Sequence, residues 1–433
     1  MKHITLLSLL LLLNFHAHSK VYFSPESILD QVVVKEITEA DRSIDIAIYT
    51  FNSPDIREAL IQKLNEGVQV RILTHRGKTD STKKFVLPLQ EAGAHIRYVS
   101  KINHHKFLIV DAKRIYSSSG NFSQTKRQRS YDENSFVCQQ ECLGMIDAFQ
   151  QEYNWLWALS QEVGNEVLIR NLPQVSNRHL SDQAFFTSFN FTPYIRRQGI
   201  SFRTNKEGGA IEQSLIKIIQ SAQTSIKIAT GHFRSYPLFM ALQEAVFNGI
   251  KVTLVLDSQE YISSQWEEVE DKKIQECLEK GKTQLFCHRQ SVHFSRKASR
   301  AGIDVKIKYY AFRWFFPKAP QMHHKYLILD DREVYTGSYN WSFNSEYNSF
   351  ENLARLDQVE EVDSFMNNFK MVLSYGGKKP FRHFLSQFRE KNRIPLFFSP
   401  RTLTITEIDQ VRNIIYSNCP HIELLESGES FCL

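Results

Sequence analysis

The stretch HHKYLILDDREVYTGSYN, His323–Asn340, is written almost a second time in HHKFLIVDAKRIYSSSGN, His104–Asn121, 219 residues earlier. Each copy holds His-x-Lys, four apolar residues, an Asp and, further on, Ser-x-Asn. On a strand, side chains at i and i+2 share a face, so His104 projects with Lys106, and His323 with Lys325. Phe107–Val110 and Tyr326–Leu329 are apolar throughout, the pattern of a strand covered on both faces and a stiff base for the polar pair at its start. Ser119 with Asn121, and Ser338 with Asn340, obey the same rule at the end of the next strand. A lone strand histidine is usually a satisfied structural residue, and a lone Ser-x-Asn is usually a turn. Two copies with one spacing ask for a chemical reason.

The repetition extends beyond the motif. SIDIAIYTFNSPDIREALIQKLNEGVQV (Ser43–Val70) aligns without a gap on SIKIATGHFRSYPLFMALQEAVFNGIKV (Ser225–Val252), with ten of 28 positions identical at an offset of 182. Each reads as strand, turn, amphipathic helix ended by Gly67 or Gly249, and second strand. Such a unit implies parallel strands with a right-handed crossover, so the expected fold is α/β, two pseudo-symmetric repeats of mixed, largely parallel sheet flanked by helices. The offset reaches 209 at Ala301-Gly302, which locates a polar insert at 258–300, expected to be a stapled surface loop. Ten more residues enter within YYAFRWFFPKAP (Tyr309–Pro320), where six aromatics surround Arg313 and Lys318. The expected division is 20–160 for the first repeat, 161–201 for a linker, 202–375 for the second repeat and 376–433 for an extension of no legible role.

At 433 residues, 42% hydrophobic and 12% aromatic, the chain is globular with room for two domains. A net charge of +6 permits a phosphate-bearing partner without demanding one. Residues 1–19 read as a signal peptide cleaved near Ser19, with Lys2 ahead of an apolar run too short to span a bilayer; an uncleaved anchor is the alternative. Export into the periplasm or beyond permits disulfides, and local pairing would join Cys138 to Cys142, Cys277 to Cys287 and Cys419 to Cys432. A rival reading makes Cys277, Cys287, His288 and His293 a zinc site.

The motif residues suit a phosphodiester. Lysine supplies a cation, Asn and Ser donate to non-bridging oxygens, and histidine can attack and move protons near neutral pH. A carboxylate on the far ring nitrogen would fix each tautomer; Glu133 and Glu351, each followed by Asn, stand at matching places. No acidic cluster has divalent-metal spacing, so the lysines would neutralise charge and no cofactor is expected.

On these two HxKxxxxD motifs and the Ser-x-Asn segments that follow, the chain resembles the phospholipase D superfamily over roughly residues 20–375. VYFSPE (Val21–Glu26) and SIDIAIYTF further resemble its endonuclease branch of bacterial secreted and mitochondrial proteins. The resemblance implies one catalytic site at the junction of two halves and a two-step mechanism through a phosphohistidine. His104 would be the nucleophile and His323 the acid. Lys106, Lys325, Asn121 and Asn340 would hold phosphate with Ser119 and Ser338 assisting, while Asp111, Asp330, Glu133 and Glu351 would support them. Ser118 departs from the usual Gly, which Gly337 keeps; a site needing positive φ would strain it. Nucleic acid is the favoured substrate, with KRQR (Lys126–Arg129) and RKASR (Arg296–Arg300) to track a backbone and the aromatic loop to stack bases. The same loop would suit a phospholipid surface, and a non-catalytic polyanion-binding scaffold is the third class. Both half-sites lie in one chain, so no obligate protein partner is implied.

Overall fold

The computed structural model describes residues 19–75, 79–123, 128–164, 169–197, 199–205, 208–289, 292–377, 379–389, 393–419, 422 and 431–432. Residues 1–18, the expected signal segment, and Lys126 and Arg127 lie outside them.

The first half supplies β1 (Lys20–Phe23), β2 (Ser43–Ile48), β3 (Gln69–His75), β4 (His95–Val99), β5 (Ile102–Asn103), β6 (Lys106–Val110), β7 (Arg114–Ser118), β8 (Asn134–Cys138) and β9 (Gln161–Glu162). All but β5 form one sheet, ordered β1-β8-β7-β6-β2-β3-β4-β9. The second half supplies β10 (Ala184–Phe186), the hairpin β11 (Phe191–Arg196) and β12 (Gly199–Thr204), β13 (Ser225–Thr230), β14 (Lys251–Asp257), β15 (Asp304–Ala311) and β16 (Lys325–Leu329). It continues with β17 (Glu333–Gly337), β18 (Ser349–Phe350), β19 (Asn352–Leu356), β20 (Ile394–Pro395), β21 (Phe397–Leu403) and β22 (Phe431–Cys432). Its sheet, β10-β19-β17-β16-β13-β14-β15-β21, repeats the first strand for strand. Ser43 pairs with Gln69 and Ser225 with Lys251, so the sequence offset of 182 is also a structural one.

The sheets are mixed, but not largely parallel. Parallel pairing is confined to β2-β3-β4 and β13-β14-β15; the remaining neighbours within each sheet run antiparallel. The reason lies in the motif itself. Asp111-Ala112 and Asp330-Asp331 take left-handed φ between 51° and 56°, which closes tight hairpins from β6 to β7 and from β16 to β17.

Every residue of β6 and β16 is buried, because both sheets are covered on both faces. Phe107 and Ile109 pack with Phe149 and Tyr153 of helix Leu143–Ala158, whereas Leu108 and Val110 pack with Val33 and Ile37 of helix Leu29–Thr38. Tyr326 and Ile328 join that same inner core together with Phe365 and Phe369 of helix Val359–Leu373. One apolar cluster therefore takes in a face of each sheet together with the two helices packed on them and joins the halves.

Several expectations change. The insert is helical, with Ser264–Glu279 capped by the Ser263 hydroxyl accepting from Trp266 N–H. Cys277 and Cys287 form a disulfide there, so no thiolate pair is left for zinc; Cys138–Cys142 and Cys419–Cys432 are bonded as well. The supposed linker contributes β10 to the second sheet and the β11–β12 hairpin. The C-terminal extension supplies β21, which pairs with β15 and completes the sheet, and helix Ile405–Asn418. Of the aromatic run, Tyr309, Tyr310 and Phe312 are core, while Phe316 is exposed. No helix among the described residues is long and apolar enough to cross a membrane.

Neither Ser118 nor Gly337 has positive φ. A Cβ at Gly337 would instead meet the Asn352 carbonyl oxygen at 2.3 Å, whereas the Ser118 hydroxyl donates to the Asn134 carbonyl at 3.1 Å. The first copy spaces this crossing with a hydrogen bond and the second closes it. Gly337→Ala is accordingly expected to cost about 1–3 kcal/mol in urea denaturation; unchanged stability would show that the close approach carries no weight.

Candidate active site

The two halves meet just ahead of the motif strands through reciprocal main-chain contacts. β5 pairs in parallel with β18, and His104 N–H donates to the Phe350 carbonyl. At the related place Asp132 bridges Met322, and His323 N–H donates to the Asp132 carbonyl. The glutamates that follow complete the exchange. His104 Nδ1 lies 2.8 Å from Glu351 Oε2, and His323 Nδ1 lies 2.9 Å from Glu133 Oε1. Each half's carboxylate thus holds the other half's imidazole and leaves its Nε2 for chemistry. Asn134 and Asn352 cross likewise, donating to Thr336 Oγ1 and Ser117 Oγ.

The lysines sit inside this arrangement. Lys106 Nζ donates to the His104 carbonyl at 2.6 Å and Lys325 Nζ to the His323 carbonyl at 2.9 Å, and both side chains are buried. Burial and the two ammonium charges push both imidazoles well below the ordinary histidine value. Burial lowers Lys106 to about 8; burial and then the Lys106 charge lower Lys325 to about 7. Burial raises Glu133 to about 8 and Glu351 to about 7 against the pull of the lysines. The crossed pairs His104–Glu351 and His323–Glu133, with the lysine on each motif strand, gather these groups at the junction of the halves.

A lowered ammonium pKa means that the protonated, anion-binding form is lost as pH rises through it. Dimethyl phosphate, whose charge is constant in this range, is therefore expected to bind by calorimetry most tightly below about pH 7 and progressively less as Lys325 and then Lys106 lose protons. Lys325→Met should weaken binding and remove the first part of the fall. Flat affinity to about pH 9 would contradict these assignments.

The remaining motif residues divide. The buried side-chain carbonyls of Asn121 and Asn340 have no hydrogen-bond partner among the described residues. Ser119 and Ser338 are fully buried: each hydroxyl accepts from the N–H of Asn134 or Asn352, and Ser338 also donates at 2.6 Å to Glu351 Oε2, the oxygen that meets His104. Asp111 and Asp330 lie at the far ends of the motif strands. Asp111 accepts from the N–H groups of Asp41, Arg42 and Ser43, and Asp330 from those of Gln223, Thr224 and Ser225. Although burial opposes it, these bonds hold both carboxyls below the usual range and tie the motif strand to the start of its neighbour. His105 and His324 are buried, against Glu152 and Asn134.

A pocket of about 520 Å³ opens beside His104 and is lined also by Tyr49, Asn340, Glu351, His232, Arg234 and Arg289. The last three escaped the sequence reading, since they lie outside the repeated motif. Gly120 also acquires a reason, because a Cβ there would meet Glu133 Oε2 at 2.2 Å. Of the basic segments, Arg296, Lys297 and Arg300 are consumed by ion pairs with Asp409, Asp271 and Glu267.

A family model described as "Cardiolipin synthase, PLD-like domain" matches residues 33–157 and again 215–373. The mitochondrial cardiolipin hydrolase of Xenopus tropicalis is 28% identical over 123 residues, 28% of this chain, which spans 57% of that protein's length. The major cardiolipin synthase of Bacillus subtilis (strain 168) is 23% identical over 422 residues, 90% of this chain and 78% of that protein. The phosphatidylserine synthase of Haemophilus influenzae Rd KW20 superposes with a TM-score of 0.53 at 12% identity, covering 92% of each chain, and shares the fold.

Proposed function

The chain belongs to the phospholipase D superfamily, whose domain it carries twice, and from that premise we propose that this phosphodiesterase works without metal through a covalent phosphohistidine. His104 Nε2 attacks phosphorus, and the departing oxygen takes the proton from His323 Nε2 as its bond to phosphorus breaks. His323 then takes a proton from water, whose oxygen displaces the imidazole and releases the phosphoryl product. Lys106, Lys325, Asn121 and Asn340 neutralise and orient the non-bridging oxygens. The observation that carries this reading is the reciprocal His104–Glu351 and His323–Glu133 pairing, which prepares two imidazoles for one phosphorus.

For the substrate we favour phospholipid over nucleic acid. The insert's cations, counted on to track a nucleic-acid backbone, are paired within the chain. The loop after β15, with exposed Arg313, Phe316 and Lys318, leaves the same sheet edge at which the motif strands begin, a disposition suited to a lipid surface. The relatives named for cardiolipin point the same way. Three disulfides support a place outside the cytoplasm, with cleavage near Ser19.

The test incubates purified mature protein with EDTA and, separately, anionic phospholipid vesicles and single-stranded DNA. Release of lipid headgroups is the expected result. Cleavage of DNA alone would return the substrate to nucleic acid, and binding without turnover of either would make the protein a scaffold.

A further inference from the structure

The pocket beside His104 is electrostatically one-sided. Its arginines and the imidazole of His232 come from the second half and its insert: His232 and Arg234 from the loop after β13, and Arg289 from the segment following Cys287. The repeat places Thr50 and Asn52 where the second half has His232 and Arg234, and the first half has no counterpart of the insert. His232 and Arg234 share the buried Glu260, at 3.1 and 2.9 Å. Arg289 is different. Its guanidinium lies 4.9 Å from the Phe343 ring centroid and 5.8 Å from that of Tyr347, in ion-pair contact with no carboxylate among the described residues, and its Nε is buried without a hydrogen-bond partner there. Three neighbouring insert cations are neutralised; this one lies over two aromatic rings and lines the pocket.

A half-buried guanidinium whose Nε has no partner among the described residues is a site for an oxyanion, and the planar fork suits phosphate. The scissile phosphate already has Lys106, Lys325 and the two asparagines. The geometry points to a second-phosphate subsite, with Arg289 as its anchor and Arg234 and His232 at its border, which selects phospholipids carrying another phosphate beside the one cleaved. The insert is then a specificity element. The subsite needs only the pocket, whereas its assignment to a lipid rests on the proposed function.

The test measures binding by calorimetry of α,ω-alkane bisphosphates and of the matching alkyl monophosphates, in wild type, Arg289→Gln and Lys297→Gln. The wild type is expected to prefer the best-fitting bisphosphate by about tenfold. Arg289→Gln should erase that ratio, and Lys297→Gln, whose cation is paired with Asp271, should retain it. Equal affinities in the wild type, or a preference that survives Arg289→Gln, would overturn the subsite. An advantage confined to a 5′-phosphorylated dinucleotide would overturn its assignment to lipid. Failure of the vesicle assay with the bisphosphate preference intact would sink the phospholipid reading and leave the subsite standing.

Discussion

His323→Asn is expected to lower turnover by about 10³-fold while dimethyl phosphate affinity stays within about threefold of wild type. Asparagine approximates the imidazole's reach towards Glu133 but cannot carry a proton to the leaving oxygen or take one from water, so both chemical steps lose their acid–base partner. The contact that seats this strand on the first half, His323 N–H to the Asp132 carbonyl, belongs to the backbone and survives the change. Lys106 and Lys325 remain to bind the anion. Residual activity above a few per cent would show that another group moves the proton. His104→Asn should lose at least as much, since no covalent step is left.

Glu133→Gln and Glu351→Gln are each expected to cost about 10²-fold in kcat with alkyl phosphodiesters, although both glutamines keep an acceptor within reach of the ring. The loss is the ionisable group: a carboxyl can give up its proton and balance the charge of an imidazolium as it forms, and an amide cannot. The two variants should part company on an activated substrate. With a p-nitrophenyl phosphodiester the leaving group departs unprotonated, so Glu133→Gln, which serves the acid His323, should recover most of the first-turnover burst. Glu351→Gln, which serves the nucleophile, should not. Equal burst losses in both variants would dissolve the division of labour.

The repeated strand-helix-strand unit was legible because a one-to-one alignment at offset 182 survives in β2, β3, β13 and β14. The motif residues were legible because chemistry constrains them twice. Antiparallel pairing around β6 and β7 was hidden in a turn: Asp111 and Ala112 do not announce left-handed backbone as Asn-Gly would. Glu133 and Glu351 could be named from their matching Glu-Asn positions, but a carboxylate serving a histidine 190 or 247 residues away leaves no local trace. For Ser119 and Ser338 the Ser-x-Asn spacing shows no partner, whereas packing gives their hydroxyls the N–H groups of Asn134 and Asn352 and, for Ser338, Glu351. Arg289 sits in an insert without a repeat partner, and composition cannot separate it from Arg296 or Arg300, which are paired. The role of 376–433 was obscure because β21 finishes a sheet whose other strands lie far away in sequence.

The central claim is that imidazoles of both halves serve one phosphorus atom, with His104 as the bond-forming one. The direct measurement is acid-free quenching of a p-nitrophenyl phosphodiester, whose leaving group needs no proton, with His323→Asn protein, followed by peptide mass spectrometry. The account predicts a base-stable, acid-labile phosphoryl adduct on His104, absent from the His104→Asn/His323→Asn double variant. An adduct on any other residue would contradict it.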